Sequence, residues 1–223
     1  MAWAFSETSQ YVTIANHAAL NFPDADWAMG GFVYFDDNDG TLYQYVYNHG
    51  PSSGAALLFY LGEYSNSGFP NKLITTIRDA DTSVSGSDTI SDDPDTWHHF
   101  LLQRSSGSFY LYKDNSVVYS GPMTGVNAVA PSGDAYFGAR EDLEANRFLG
   151  GRLAEWAKWD RALDSDERAA LVKGYSPSFF MKDLKWYVPM VRDYTARVGG
   201  ITITNNGTTV VQHPPILYPS RGV

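Results

Sequence analysis

Trp97-His98-His99-Phe100-Leu101-Leu102-Gln103-Arg104, Ser105-Ser106-Gly107, Ser108-Phe109-Tyr110-Leu111-Tyr112-Lys113, Asp114-Asn115, Ser116-Val117-Val118-Tyr119: residues 97–119 hold three short apolar runs parted by two turns. The runs are rich in β-branched and aromatic residues, which suit a pleated, half-buried surface. The Asp114-Asn115 pair suits the positive φ values of a two-residue hairpin turn. Three consecutive strands of this kind predict an antiparallel meander and an all-β chain.

The same grammar extends in both directions. Upstream, Tyr11-Val12-Thr13-Ile14 reads as a strand, and Ala15–Asp26 as a loop. Trp27–Phe35 is a strand whose Trp27, Met29, Gly31, Val33 and Phe35 share one face by the period of two. Asp36-Asp37-Asn38-Asp39-Gly40 is a turn, and Thr41–Tyr47 a strand with Tyr43, Tyr45 and Tyr47 on one face. Ala55–Gly62 and Leu73–Arg78 follow, with one ragged strand between Asp79 and Asp95.

Downstream, Ala135–Ala139 and Gly151–Trp159 are strands. One helix is predicted: Asp164 caps it, Glu167 closes a capping box, and Gly174 ends it. Leu184–Val191 reads as a further strand. Ile201–Thr204 and Thr208–Val211 read as a hairpin turned by Asn205-Asn206-Gly207. The end, His213-Pro214-Pro215-Ile216-Leu217-Tyr218-Pro219, has too many prolines for a helix or a central strand and is predicted to be extended.

Composition sets outer limits. The 223 residues include no Cys, which removes disulfides, thiol nucleophiles and Cys-ligated zinc. A chain of this length suits one large β-sandwich. The formal net charge of −9 makes nucleic acid and anionic membranes poor partners, and no apolar run is long enough to span a bilayer. The first residues lack the basic and apolar regions of a signal peptide.

Three segments resemble the laminin-G-like branch of the concanavalin A-like lectin/glucanase superfamily. Tyr11–Ile14 with Trp27–Tyr34 looks like its opening strand pair. Asp95-Thr96-Trp97-His98-His99-Phe100, followed by Phe109–Asn115, is similar to its WHH and LYxDG hairpin, with Asn115 where Gly is usual. Phe148-Leu149-Gly150-Gly151-Arg152-Leu153-Ala154-Glu155-Trp156 and Trp159–Asp164 look like its closing strand and helix. The resemblance implies an all-β, two-sheet antiparallel jelly-roll sandwich with one short helix and an extended C-terminal tail. It places the sandwich in residues 1–183. A strand and hairpin in 184–212 would complete or extend it, and 213–223 would form a Pro-rich tail. Residues 176–223 themselves resemble C-terminal extensions of bacteriophage structural proteins.

The superfamily contains glycosidases, whose chemistry needs paired carboxylates. Retaining enzymes hold them about 5–5.5 Å apart. The one comparable run places Glu155 and Asp160 at an offset of five, on opposite faces of a regular strand, with Ala157 where a third acid would stand. That reads as non-catalytic, with Glu155 in a structural hydrogen bond or ion pair. His98 and His99 point to opposite faces and suit a sandwich better than one metal. No Ser-His-Asp arrangement, Walker A motif or dinucleotide fingerprint is present.

Calcium is a permitted cofactor that nothing requires. Asp36, Asp37, Asn38 and Asp39 form one hard-oxygen cluster, and Glu141, Asp142 and Asn146 a second. Each is equally a solvated turn. Tyr43, Tyr45 and Tyr47 form either a sugar-stacking platform or core. Asn206-Gly207-Thr208 matches a glycosylation sequon, but Asn-Gly also serves a turn.

Two functions are expected from this reading. The first is a non-catalytic virion surface component, made in the host cytoplasm. It would assemble with itself or on a capsid or tail lattice through Pro214, Pro215, Ile216, Leu217, Tyr218 and Pro219. The second is a lectin-like module that binds glycans.

Overall fold

The computed structural model describes residues 2–6, 8–36, 43–51, 55–64, 69–79, 82–89, 95–190 and 195–219, with 58–64, 69–73 and 87–89 described as backbone only. The strands are β1 (Ala2–Phe5), β2 (Tyr11–Ile14), β3 (Trp27–Phe35), β4 (Tyr43–His49), β5 (Ala56–Tyr64), β6 (Phe69–Arg78), β7 (Ser83–Thr89), β8 (Trp97–Ser105), β9 (Ser108–Lys113), β10 (Ser116–Pro122), β11 (Ala135–Phe137), β12 (Gly151–Trp159), β13 (Leu184–Val188), β14 (Ile203–Asn206) and β15 (Thr209–Val211). The helix α1 spans Ser165–Val172.

Two antiparallel sheets stack as a sandwich. Sheet A runs β10-β9-β8-β3-β12-β1-β15, with β13 also paired to β12. Sheet B runs β14-β2-β11-β4-β5-β6-β7. The meander predicted from residues 97–119 is β8-β9-β10. Its turn has Asp114 at φ 49° and Asn115 at φ 65°, a left-handed pair that Asn adopts at little cost. The Asp114 carboxylate also accepts from the His99 N–H at 2.9 Å and contacts His98 Nδ1 at 2.6 Å, tying the turn to β8.

The main core lies between the sheets. Trp27, Met29, Val33 and Phe35 enter it from β3, as the alternation predicts. At Gly31 a Cβ would fall 2.6 Å from the Trp156 ring, so glycine is what lets Trp156 cross the core. The opposite face of β3 is buried too: Ala28 packs with Leu101, Ala157, Trp159 and Leu171, and Phe32 with Ala2 and Ala154.

What covers that outer face of sheet A is C-terminal to the sandwich strands. The helix is capped as predicted, with Asp164 Oδ1 accepting from the N–H groups of Asp166 and Glu167 at 2.9 Å each, and Glu167 reaching back to the Asp164 N–H at 3.1 Å. Such a cap stabilises a helix by about 1 kcal/mol. Arg161 grips Glu167 with two hydrogen bonds of 2.6 and 2.7 Å, and Leu171 seats the helix on sheet A.

The Pro-rich tail is an extended strap on the same face. Pro214 is buried, and Ile216 packs on the Ala2, Phe32 and Ala154 cluster. The Leu217 N–H donates to Gly174 O at 2.7 Å, and the Ser176 N–H donates to Leu217 O at 2.9 Å. Gly174, at φ 87°, ends the helix and also seats the strap: a Cβ there would fall 2.3 Å from Pro215 O.

Three expectations need correction. The 201–211 segment is not a hairpin: β14 pairs with β2 in sheet B and β15 with β1 in sheet A. Asn205 Oδ1 accepts from the Thr208 N–H at 2.8 Å and its hydroxyl at 2.6 Å, and Gly207 sits at φ 90°, so the chain turns out of one sheet and into the other. Ala2–Phe5, for which no strand is predicted, forms a strand between β12 and β15. The offset between Glu155 and Asp160 does not run along a regular strand, because β12 is bulged, with Glu155 at φ 59°.

Candidate functional site

The outer face of sheet B carries no helix or strap among the described residues. In β2, Val12 and Ile14 point into the core, which turns Tyr11 and Thr13 outward. In β11, Ala135 and Phe137 point inward and Tyr136 outward. The ladders then set these residues side by side. Asn206 lies opposite Tyr11, Thr13 opposite Tyr136, and Tyr136 opposite Asn48.

Tyr11 and Tyr136 are both half-buried, with ring centroids 6.1 Å apart, and Phe148 backs Tyr11 at 6.3 Å. The amide of Asn206 donates to Thr13 Oγ1 at 3.1 Å. Asp134, two residues before Tyr136, accepts from the Asn16 N–H at 2.9 Å. The Glu141 N–H donates to Asn48 Oδ1 at 2.8 Å. Burial, then Asp134, Tyr11 and Glu141, hold the Tyr136 phenol above its usual range. The result is an aromatic pair rimmed by amide, hydroxyl and carboxylate groups, a surface suited to stacking a sugar face and hydrogen-bonding its hydroxyls.

The expected tyrosine stripe is split. The β4–β5 ladder slips at Val46, so Tyr45 pairs with Tyr60 but Tyr47 with Phe59. Tyr47 is fully buried in the main core, T-shaped against Phe137 at 5.1 Å, out of reach of any ligand. Tyr45 is buried beside Arg140, Arg147 and Asp142, and burial raises its phenol. Tyr43 is half-buried.

Of the first oxygen cluster, Asp36 ends β3, where its N–H donates to Gly150 O and its carboxylate lies 3.8 Å from Arg152. Asp37, Asn38 and Asp39 lie outside the described residues. In the second, Asp142 contacts Arg147 and lies 3.4 Å from Arg140, while Glu144 pairs with Arg147 at 2.9 Å. Guanidinium groups thus neutralise carboxylates that a cation would need. Among the described residues no three acidic or histidine side chains gather as a metal site. His98 and His99 point to opposite faces, His98 to Asp114 and His99 edge-on to Phe32 at 5.0 Å.

Glu155 lies at a different place, under the strap. It is buried, its Oε2 accepts from Tyr187 OH at 2.5 Å, and its Oε1 accepts from Tyr218 OH at 2.8 Å. Ser176 joins at 3.0 Å from Tyr187 OH. Burial pushes the Glu155 carboxyl above its usual range, against those hydrogen bonds and Arg197. Asp160 instead pairs with Lys158 at 2.5 Å and Lys185 at 3.2 Å, so the two acids serve separate partners.

The tail residues fall in the same region. Pro215 and Pro219 are exposed, Ile216 is half-buried, and Leu217 and Tyr218 show 53% and 37% of their surface. Sequence reasoning missed Tyr11 and Tyr136. Their outward orientation was legible in Tyr-Val-Thr-Ile and Ala-Tyr-Phe, but their pairing across more than a hundred residues was not.

Residues 6–167 match a laminin-G profile of the concanavalin A-like lectin/glucanases superfamily. The chain belongs to this superfamily. The strap, β13, β14 and β15 lie beyond the matched span. A candidate carbohydrate-binding protein from Bacteroides ovatus ATCC 8483 is similar at 17% identity and a TM-score of 0.74, over 97% of this chain and 61% of that one. This chain therefore spans less than two thirds of that protein. The heptameric SAP-like pentraxin of Limulus polyphemus is similar at 14% identity and a TM-score of 0.59, over 92% and 94%. The ligand-binding domain of botulinum neurotoxin serotype D, solved with N-acetylneuraminic acid, is similar at 10% and 0.57, over 76% and 41%. At these identities the likeness establishes the fold. No curated protein sequence matches the chain.

Proposed function

We propose that this chain is a non-catalytic carbohydrate-recognition module whose sugar-facing surface is the outer face of sheet B. One observation carries the reading: the half-exposed Tyr11–Tyr136 pair on the outer face of sheet B, rimmed by Asn206, Thr13 and Asp134. The family assignment supports it, as do structural neighbours described as a candidate carbohydrate binder and as a ligand-binding domain with a sugar acid. The Arg140 and Arg147 pairs with Asp142 and Glu144 disfavour calcium at the 140–147 loop.

The test is a glycan array followed by calorimetry on the best sugar, with Tyr136→Ala beside the parent. Stacking on one aromatic ring accounts for about 1 kcal/mol or more, so the variant should bind at least fivefold more weakly. Chelation with EDTA should leave affinity unchanged. A variant that binds every sugar as well as the parent overturns the assignment of this face.

A second reading, a virion surface component that assembles with itself or on a capsid or tail lattice, is supported by a different feature. Strap and turn together present Tyr175, Phe179, Leu217 and Tyr218 outward as an apolar row, with Tyr175 and Phe179 rings 5.4 Å apart. Light scattering should then report a defined oligomer that Leu217→Glu reduces to a monomer. A monomeric parent overturns the self-assembling form.

A further inference from the structure

The cover on sheet A stops short of one end of the sheet. In β1, β12 and β3 every residue is buried but one, and these are Ala4, Arg152 and Tyr34. The ladders bring the three into one line, with Arg152 opposite Ala4 on one side and Tyr34 on the other. Half-buried Trp97 of β8 extends the line beyond Tyr34, and exposed Thr209 of β15 extends it beyond Ala4. Trp3, Phe5, Val33, Phe35 and Leu153 enter the core, so their neighbours in this row face outward. The next row along, through Phe32, Ala154 and Ala2, is buried and carries Ile216 of the strap. Five adjacent strands at a spacing of about 4.8 Å make the row a half-exposed shelf roughly 19 Å long, bordered by the strap.

The chemistry of the shelf is mixed. The Trp97 and Tyr34 rings meet edge to face with centroids 5.5 Å apart, and the Arg152 guanidinium lies 4.2 Å from the Tyr34 centroid. Stacking on the ring fixes the guanidinium, whose ion pair with Asp36 is long at 3.8 Å, beyond hydrogen-bond reach. The Tyr34 hydroxyl donates to Asp95 Oδ1 at 3.1 Å. The Asp95 N–H donates to Phe35 O at 2.9 Å and holds that exposed carboxylate at the end of β3. Aromatic faces, guanidinium donors and a carboxylate in one row match a ligand with apolar ring faces and hydroxyls that both donate and accept. An apolar peptide or acyl chain would strip water from Arg152 and Asp95 and return no hydrogen bonds. The chain's net charge of −9 opposes a phosphate backbone.

We propose that this row is a second saccharide site, on the opposite side of the sandwich from Tyr11 and Tyr136, and that it takes a neutral oligosaccharide. Trp97 and Tyr34 supply the ring faces, Arg152 donates to sugar hydroxyls, and Asp95 accepts from them. The site shares the ligand class of the carbohydrate reading above and none of its residues.

The test follows two signals in proton–nitrogen correlation spectra of the full chain, the Tyr136 amide and the Trp97 indole N–H, the latter identified by its loss in Trp97→Phe. The probes are maltotriose, N-acetyllactosamine and diacetylchitobiose. At least one should shift the Trp97 indole, in the parent and in Tyr136→Ala alike. Arg152→Met keeps an aliphatic stem over Tyr34 and removes the donors, and should weaken binding at Trp97 at least fivefold. Ala4→Gln adds bulk to the shelf without removing any of these groups and should weaken it as well, and urea unfolding shows that each variant is folded. A Trp97 shift that neither variant weakens overturns the assignment of the row. A shift at Tyr136 with none at Trp97 overturns the second site and leaves the first. The converse overturns the first and leaves the second, and silence at both signals overturns both.

Discussion

Outward-facing Ala28, Phe32 and Ala154 of sheet A are buried, whereas outward-facing Tyr11, Thr13 and Tyr136 of sheet B are half-exposed. The two sheets share one core and differ in what lies on their backs. On sheet A the helix and the strap make a third layer, so β3 reads Trp-Ala-Met-Gly-Gly-Phe-Val-Tyr-Phe, apolar almost throughout. On sheet B, β2 reads Tyr-Val-Thr-Ile, alternating as a strand with one wet face should. A surface available for recognition is therefore found where the alternation survives.

The sharpest way to break this comparison is to place one charge on each back. Ala154→Asp puts a carboxylate among Ala2, Phe32 and Ile216 and should cost about 3–5 kcal/mol in urea unfolding, the penalty of an unpaired buried charge. Thr204→Asp, exposed on β14, should stay within about 0.5 kcal/mol. Equal losses would mean the two backs are covered alike.

Next in size is the response to acid. His49 in sheet B and His99 in sheet A are buried, and burial pushes each imidazole down to about 4. Below the ordinary value of 6.5 the unfolded chain takes up protons that the folded chain refuses. The stability these residues supply is thus complete above 6.5 and is lost as pH falls toward 4, at roughly 3 kcal/mol for each. Glu155 works in the opposite sense. Its carboxyl is raised, so its contribution is greatest at low pH and is lost as pH rises through its folded value. Denaturation profiles between pH 7 and 4 should therefore flatten in His99→Leu and steepen in Glu155→Gln. An unchanged slope in either variant contradicts the assignment.

The smallest effect concerns the cover alone. Tyr218→Phe removes one donor to Glu155 and should cost about 1 kcal/mol. Amide exchange at Leu217 and Ser176 should quicken, with the Tyr11–Tyr136 face unmoved. Coupled changes on both faces would show that the backs do not behave independently.

How much of this could be read from the chain depends on how local the cause is. The β8–β10 meander, the inward face of β3 and the capped helix follow from neighbours in sequence, and each formed as expected. The phase of the tyrosines in β4 failed because one bulged residue, Val46, reverses a period of two, and nothing in Tyr-Gln-Tyr-Val-Tyr marks it. The split of the 203–211 segment between sheets depends on β1 and β2 as partners, which no short-range pattern encodes. The Tyr11–Tyr136 pair was hidden for the same reason. The seat of the strap on Gly174 was masked by that residue's more obvious task of ending a helix.

The pairing of Ala2 with Val211 also fixes how the molecule is wired to anything joined to it. The first strand and the last share one edge of sheet A, and the strap continues over the same side. The described ends, Ala2 and the strap to Pro219, therefore lie on the side of sheet A. Sheet B is left pointing the other way. Immobilised by its N-terminus or by its C-terminus, the protein should present the same face outward, and arrays of it should be oriented alike.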